Sequence, residues 1–157
     1  MGTLSKEQWE GLNDAVSNAG VGLGGFHGGA GDAFRGKLEY EWMVGGLFVG
    51  HPHVGEYTVK LTGAKSPITK GMKKSFKYKS EQYYMMVDPG NKVLATTSYV
   101  GHKAVMPVVW TKIWGKGRVF YSALGHTAAE LESYPEVLAM TLRGMEWAAA
   151  GRPLKAK

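Results

Sequence analysis

Apolar residues recur at helical spacing in the first stretch, TLSKEQWEGLNDAVSN (residues 3–18), where Trp9, Leu12 and Val16 share a face and Ser5 and Gln8 stand at capping-box spacing. Asn18 and Gly20 stop this helix. VGLGGF (21–26) then runs apolar without alternation, as a short strand covered on both faces does in a parallel sheet. After further glycines, Asp32 is placed to cap a second helix that turns Phe34, Leu38, Trp42 and Met43 inward and ends at Gly45 and Gly46. From there the period changes. EYTVKL (56–61), SEQYYMMV (80–87), KVLATTSYV (92–100) and MPVVWTKIW (106–114) are rich in β-branched and aromatic residues and are joined by turn signals such as Asp88-Pro89-Gly90, with no helix between them. RVFYSAL (118–124) follows the Gly115-Lys116-Gly117 turn. SYPEVLAMTLRGMEWAAA closes the chain as a helix, with Ser133 and Glu136 as a capping pair and Pro135 in the first turn. The pattern predicts one mixed α/β domain over residues 1–157, with a core at 3–150 and a basic tail at 151–157.

A doubly wound sheet begins on a strand, whereas this chain opens on a helix whose partner strand is missing, so a segment upstream of Met1 is expected. With 44% hydrophobic and 20% charged residues the chain is globular, and its 23 glycines have no period. The formal charge of +6 raises the question of nucleic acid. Only Arg35, Arg118, Arg143 and Arg152 are arginines, the residue that reads phosphate and guanine bidentately. The six lysines of KSPITKGMKKSFKYK read as a solvated loop and strand edge, with polyanion binding the lesser alternative; no nucleic-acid partner is expected. Absence of cysteine excludes disulfides, thiolate metal sites and a cysteine nucleophile. No signal-peptide pattern opens the chain and no apolar run approaches a membrane span, so a cytoplasmic location without a membrane partner is expected.

GVGLGG matches G-x-G-x-x-G through Gly20, Gly22 and Gly25, but a helix precedes it and the glycines fall inside the strand, so it is no dinucleotide fingerprint. G-x-S-x-G, H-E-x-x-H and P-loop motifs are absent. His27 ends one predicted strand and His126 ends another. A histidine at a turn can simply satisfy a backbone carbonyl. Two at matching strand ends, where α/β sheets bind ligands, favour a site. His51 and His53 flank Pro52, which interrupts the extended segment, so their rings are expected on different sides and His51 alone can face that site. Glu81, flanked by aromatics in SEQYY, is either a proton-transfer carboxylate or an ordinary strand-edge glutamate. Tyr83, Tyr84, Trp110 and Trp114 can stack on a sugar ring or pack in the core.

The segments GGFHGG, GGLFVGHP, SPITKGM, SEQYYMMVDP, MPVVWTKIWGKGRVFYSALGH and GMEWAA, in that order, resemble the trehalose-utilisation ThuA-like domains, which share the class I glutamine amidotransferase-like fold. The resemblance implies a three-layer, flavodoxin-like α/β core with a mixed sheet, N-terminally truncated so that Met1 looks like an internal methionine. It carries His27, His51, His126 and Glu81 over as site residues. Amidotransferases of this fold use a cysteine on the turn that looks like FHGG here, so glutamine hydrolysis by that route is excluded. The implied activity is carbohydrate catabolism on keto-glycosides. Either His27, His126 and Glu81 catalyse acid/base chemistry, or His27, His51 and His126 hold a divalent metal, the one cofactor in view. Tyr83, Trp110 and Asp32 are the expected sugar contacts, and a small-molecule sugar the expected partner. The alternative is a non-catalytic carbohydrate-binding module. A free strand edge at 21–26 and a bare apolar helix face would recruit a second copy, so a homo-oligomer is expected, and a well-folded monomer by light scattering at micromolar concentration would contradict it.

Overall fold

Ser5 Oγ accepts from the Gln8 amide and the Gln8 side chain accepts from the Ser5 amide at 2.9 Å, so the capping box forms and α1 runs Lys6–Asn13. A computed structural model of the chain describes residues 2–151, and the expected basic tail lies, from residue 152, outside the described residues. The turn Asp14–Asn18 widens to π-helical geometry and buries Val16 against Met43 and Val119, with Trp9 and Leu12 packed half-buried beside them. The helix face expected to lie bare is therefore covered within the chain.

The chain continues through β1 (Leu23–Phe26), the short α2 (His27–Gly31), α3 (Leu38–Val44) and β2 (Gly46–Leu61). Then come β3 (Ser75–Val87), β4 (Lys92–Ser98), β5 (Val105–Trp114), β6 (Gly117–Ser122), α4 (Ala128–Ser133) and α5 (Pro135–Ala149). One six-stranded sheet has the order β1-β6-β5-β4-β2-β3, with β1 and β6 parallel and every other neighbouring pair antiparallel. On β6 the side-chain alternation defines three layers. Phe120 meets α5 at Gly144, while Val119 meets Val16 and Met43 on the other face. No helix among the described residues is long and apolar enough to cross a membrane.

Three local expectations are corrected. Asp32 caps no second helix; it ends α2, and α3 starts only at Leu38. The turn at 32–37 breaks the helical phase counted from Phe34. Tyr40, Met43 and Val44 face the core, and Leu38 and Trp42 remain 69% and 57% exposed. Ser133 belongs to the end of α4, and α5 opens on Pro135, whose missing N–H is not needed there. Finally, β2 begins ten residues before the expected strand. Its glycines, Pro52 and the register shifts between Phe48 and His53 erase the alternation that would mark it.

The contact of α5 with β6 is a tight constraint. A Cβ on Gly144 would stand 2.3 Å from the fully buried Phe120 ring. Gly144→Ala gains about 0.8–1 kcal/mol of helix propensity and loses about 1–3 kcal/mol to overpacking. The expected outcome is a net destabilisation, read as a lower urea midpoint at unchanged slope.

Candidate active site

Because β1 and β6 are parallel, with Phe26 opposite Ser122, their carboxyl ends lie side by side. The chain leaves β1 at His27, whose φ of 49° makes it the one non-glycine residue with positive φ among the described residues. That conformation costs roughly 1–2 kcal/mol in an L-residue. It leaves β6 through Gly125, left-handed at φ 93°, and arrives at His126. Meanwhile β2 pairs with β4 only over residues 59–61, which frees the rest of the β2–β3 ribbon to curl back towards these strand ends. The ribbon delivers Glu81 and Tyr83 from β3, and His51 from the bulged stretch of β2.

Three imidazoles surround one carboxylate oxygen. Glu81 Oε2 lies 3.1 Å from His51 Nε2, 3.3 Å from His27 Nε2 and 3.3 Å from His126 Nδ1. His27 is the most enclosed, its side chain 12% exposed against 46% for His126. Its Nε2 is buried and, although near the carboxylate, has no aligned hydrogen-bond partner among the described residues. Its Nδ1 is 2.9 Å from the Tyr83 hydroxyl. Burial pushes the Tyr83 hydroxyl above its ordinary range, so it stays protonated and can donate to or accept from that nitrogen. Phe48 packs on both Tyr83 and His51, at ring separations of 4.5 and 4.9 Å, and walls the cluster. Burial, helped by the neighbouring His126 and opposed by the Glu81 carboxylate, holds His27 down at about 4 from its ordinary 6.5.

A second carboxylate, absent from the sequence expectations, holds the loop that presents His126. Glu130 Oε2 accepts from the His126 amide at 3.0 Å and from the Tyr78 hydroxyl at 2.5 Å, and Ser80 Oγ donates to the same carboxylate. Tyr78 in turn accepts from the Gly125 amide at 2.9 Å. The signal was present as Thr127-x-x-Glu130, a capping-box spacing directly after His126. Thr127 does cap α4 by accepting from the Glu130 amide. The glutamate side chain reaches past it to His126 instead of closing the box.

His27, His51, Glu81 and His126 thus come together, and His53 is outside their group. The expected sugar contacts are distributed differently. Trp110 is corrected to a core residue: it is 0% exposed, and its indole N–H donates to the Val44 carbonyl. Asp32 has both carboxylate oxygens held by Arg35 at 2.7 and 2.8 Å, and Arg35 lies over the Phe48 ring, so it supports the wall at one remove. Tyr83 is buried and spends its hydroxyl on His27. Tyr84, by contrast, is 39% exposed and lines a cavity of about 480 Å³ with His51 and the stacked pair Tyr99 and His102. Trp114 donates its indole N–H to Asn13.

A helix-covered mixed sheet defines a three-layer α/β protein, and the imidazoles and carboxylate gather at the carboxyl edge of parallel strands, where sheets of this class place their ligand sites. Residues 1–148 match the family model described as ThuA, trehalose utilisation, and the chain belongs to that family. No functionally curated protein matches the sequence. Among solved structures, a putative ThuA-like protein from Parabacteroides merdae is 22% identical, with a TM-score of 0.74 over 99% of this chain and 70% of that one. A second, from Bacteroides uniformis, is 18% identical with a TM-score of 0.74, covering 93% of this chain and 65% of that one. A cold-adapted β-galactosidase from Rahnella sp. R3 shares the fold more distantly, at 15% identity and a TM-score of 0.53 over 22% of its length. At these identities the likeness is one of fold.

The low proton affinity of His27 has a consequence for stability. Above pH 6.5 the ring is neutral in both folded and unfolded chains. Between pH 6.5 and about 4 the unfolded chain binds the proton and the folded chain does not, so stability falls as pH is lowered through that window. His27→Gln removes this contribution. The thermal midpoint of the wild type is expected to drop more than the variant's between pH 7 and pH 4.5; a difference constant across the window would contradict the assignment.

Proposed function

We propose that the chain processes a carbohydrate, with keto-glycosides as the substrate class, by acid/base or metal-assisted chemistry at His27, His51, Glu81 and His126. The observation that carries the reading is the convergence of three imidazoles on Glu81 at the carboxyl ends of two parallel strands. Membership of a family described by trehalose utilisation supports the substrate class. A keto group acidifies the adjacent C–H, so a carboxylate can serve as base when an acid is held close by. In the acid/base form Glu81 takes the proton next to the carbonyl. The C–H electron pair becomes a C=C bond as the glycosidic C–O bond breaks, and His126, the more exposed imidazole, protonates the departing oxygen. Tyr83 and Glu130 are positioning residues, the first for the His27 ring and the second for the His126 backbone.

The test is turnover of a 3-keto-glucoside by the wild type, followed by product analysis. Glu81→Gln keeps the size and loses the base, and kcat is expected to fall by about 10²–10⁴. Saturable sugar binding without turnover would replace the catalytic reading with that of a binding module. Neither binding nor turnover would overturn both.

A further inference from the structure

We propose that the cavity walled by Val49, His51, Tyr84, Tyr99, His102 and Met106 receives an aromatic, apolar leaving group, the aryl portion of an aryl glycoside. The inference rests on the proposed function and deepens it by naming the group on the far side of the bond that breaks.

The cavity adjoins the cluster. His51 belongs to both places: its Nε2 is 3.1 Å from Glu81 Oε2, and the residue also lines the cavity. His126, the acid for the departing oxygen, meets the same Glu81 oxygen at 3.3 Å. That oxygen is the common neighbour of the acid and of the cavity wall, so a group leaving past His51 enters the cavity. At about 480 Å³ it has the size of a small-molecule site.

Its lining selects against a second sugar. No carboxylate, amide or guanidinium side chain lines it among the described residues. Sugar hydroxyls brought here would leave water for few partners, which is unfavourable. An aryl ring has little to lose on leaving water, and Tyr84, Tyr99 and Met106 offer it ring faces and a polarisable thioether. Val49 and Tyr84 are 49% and 39% exposed, apolar surface that a bound ring would cover.

The wall across from β2 is built in advance. Tyr99 and His102 stack with centroids 4.9 Å apart and planes only 12° from parallel. Their turn is closed by its own backbone: the His102 amide donates to the Tyr99 carbonyl and the Tyr99 amide to the Ala104 carbonyl, both at 2.9 Å. The fully buried Gln82 ties the strand entering this turn to β3, donating from Nε2 to Thr97 Oγ1 at 2.9 Å and to the Ser98 carbonyl at 2.8 Å. A wall held this way lowers the ordering cost of binding a flat group.

The experiment has two arms. In the first, free 2-naphthol is titrated into the wild-type chain and followed by its fluorescence and by saturation-transfer NMR. Saturable binding is expected, weakened about tenfold by Tyr84→Ala and by Tyr99→Ala and kept by Tyr84→Phe, with folding checked by circular dichroism. In the second, KM is compared for 2-naphthyl and phenyl 3-keto-glucosides and a 3-keto-disaccharide. Phenol and 2-naphthol are similar in acidity, so leaving-group strength does not separate them. The naphthyl compound is expected to have a KM about 3–10-fold below the phenyl one, and Tyr84→Ala to remove that difference. Absence of saturable naphthol binding at millimolar concentration, binding unchanged in both alanine variants, or a disaccharide KM below the naphthyl one would overturn the subsite. Turnover without a naphthyl preference would overturn it too, while leaving the proposed function. Naphthol binding that depends on Tyr84 and Tyr99, without turnover of any keto-glucoside, would overturn the proposed function and leave the cavity as a site for aromatic ligands.

Discussion

The parallel pairing of β1 with β6, which sets Phe26 beside Ser122, decides where chemistry can happen in this chain. Parallel strands end on the same side, so the residues leaving them share one small volume. His27 follows β1 directly, and His126 follows β6 after a three-residue turn through left-handed Gly125. An antiparallel pairing of the same segments would send the two rings to opposite ends of the sheet. The remaining contributors depend on this placement. The curled β2–β3 ribbon has to return to these strand ends for Glu81 to meet both rings, and the hydrogen bond between Tyr83 and His27 joins the two halves.

Stability is given up locally to build the cluster. His27 holds a left-handed backbone, a buried nitrogen without a partner and a proton affinity far below that of a free imidazole. Each of these is unfavourable for folding, and all three fall on one residue. The surroundings hold it in place: Tyr121 donates to its carbonyl, Tyr83 meets its ring, and Phe48 packs behind Tyr83. Around His126 the strategy is different. The ring is more exposed, and the backbone is what is fixed, through Glu130, Tyr78 and the Gly125 amide. A rigid inner imidazole and a more accessible outer one flank the same carboxylate.

Element identity was legible wherever one period ran without interruption. The capping box at Ser5 and Gln8, the apolar strand before His27, the β-rich middle and the last helix follow from local spacing and side-chain type. Local spacing failed where the phase was broken. The turn at 32–37 reset α3 so that Tyr40, and not Leu38 or Trp42, points inward. The bulged stretch from Phe48 to His53 hid most of β2, although it carries His51. Trp110 shows the same limit from another side: an aromatic in an apolar strand is equally able to stack on a ligand or fill a core, and its hydrogen bond to Val44 decides for the core.

By itself the sequence determined the mixed α/β class, the exclusion of thiol chemistry and the strand-end positions of His27 and His126, because these depend on residue type and near-neighbour spacing. Only the tertiary structure decided that Glu81, 54 positions beyond His27 in the chain, shares one oxygen among three imidazoles, and that Glu130 anchors the loop between them. The physical reason is that side-chain convergence is set by how far the β2–β3 ribbon curls. That curl follows from where β2 stops pairing with β4, a non-local register that no short window of sequence contains.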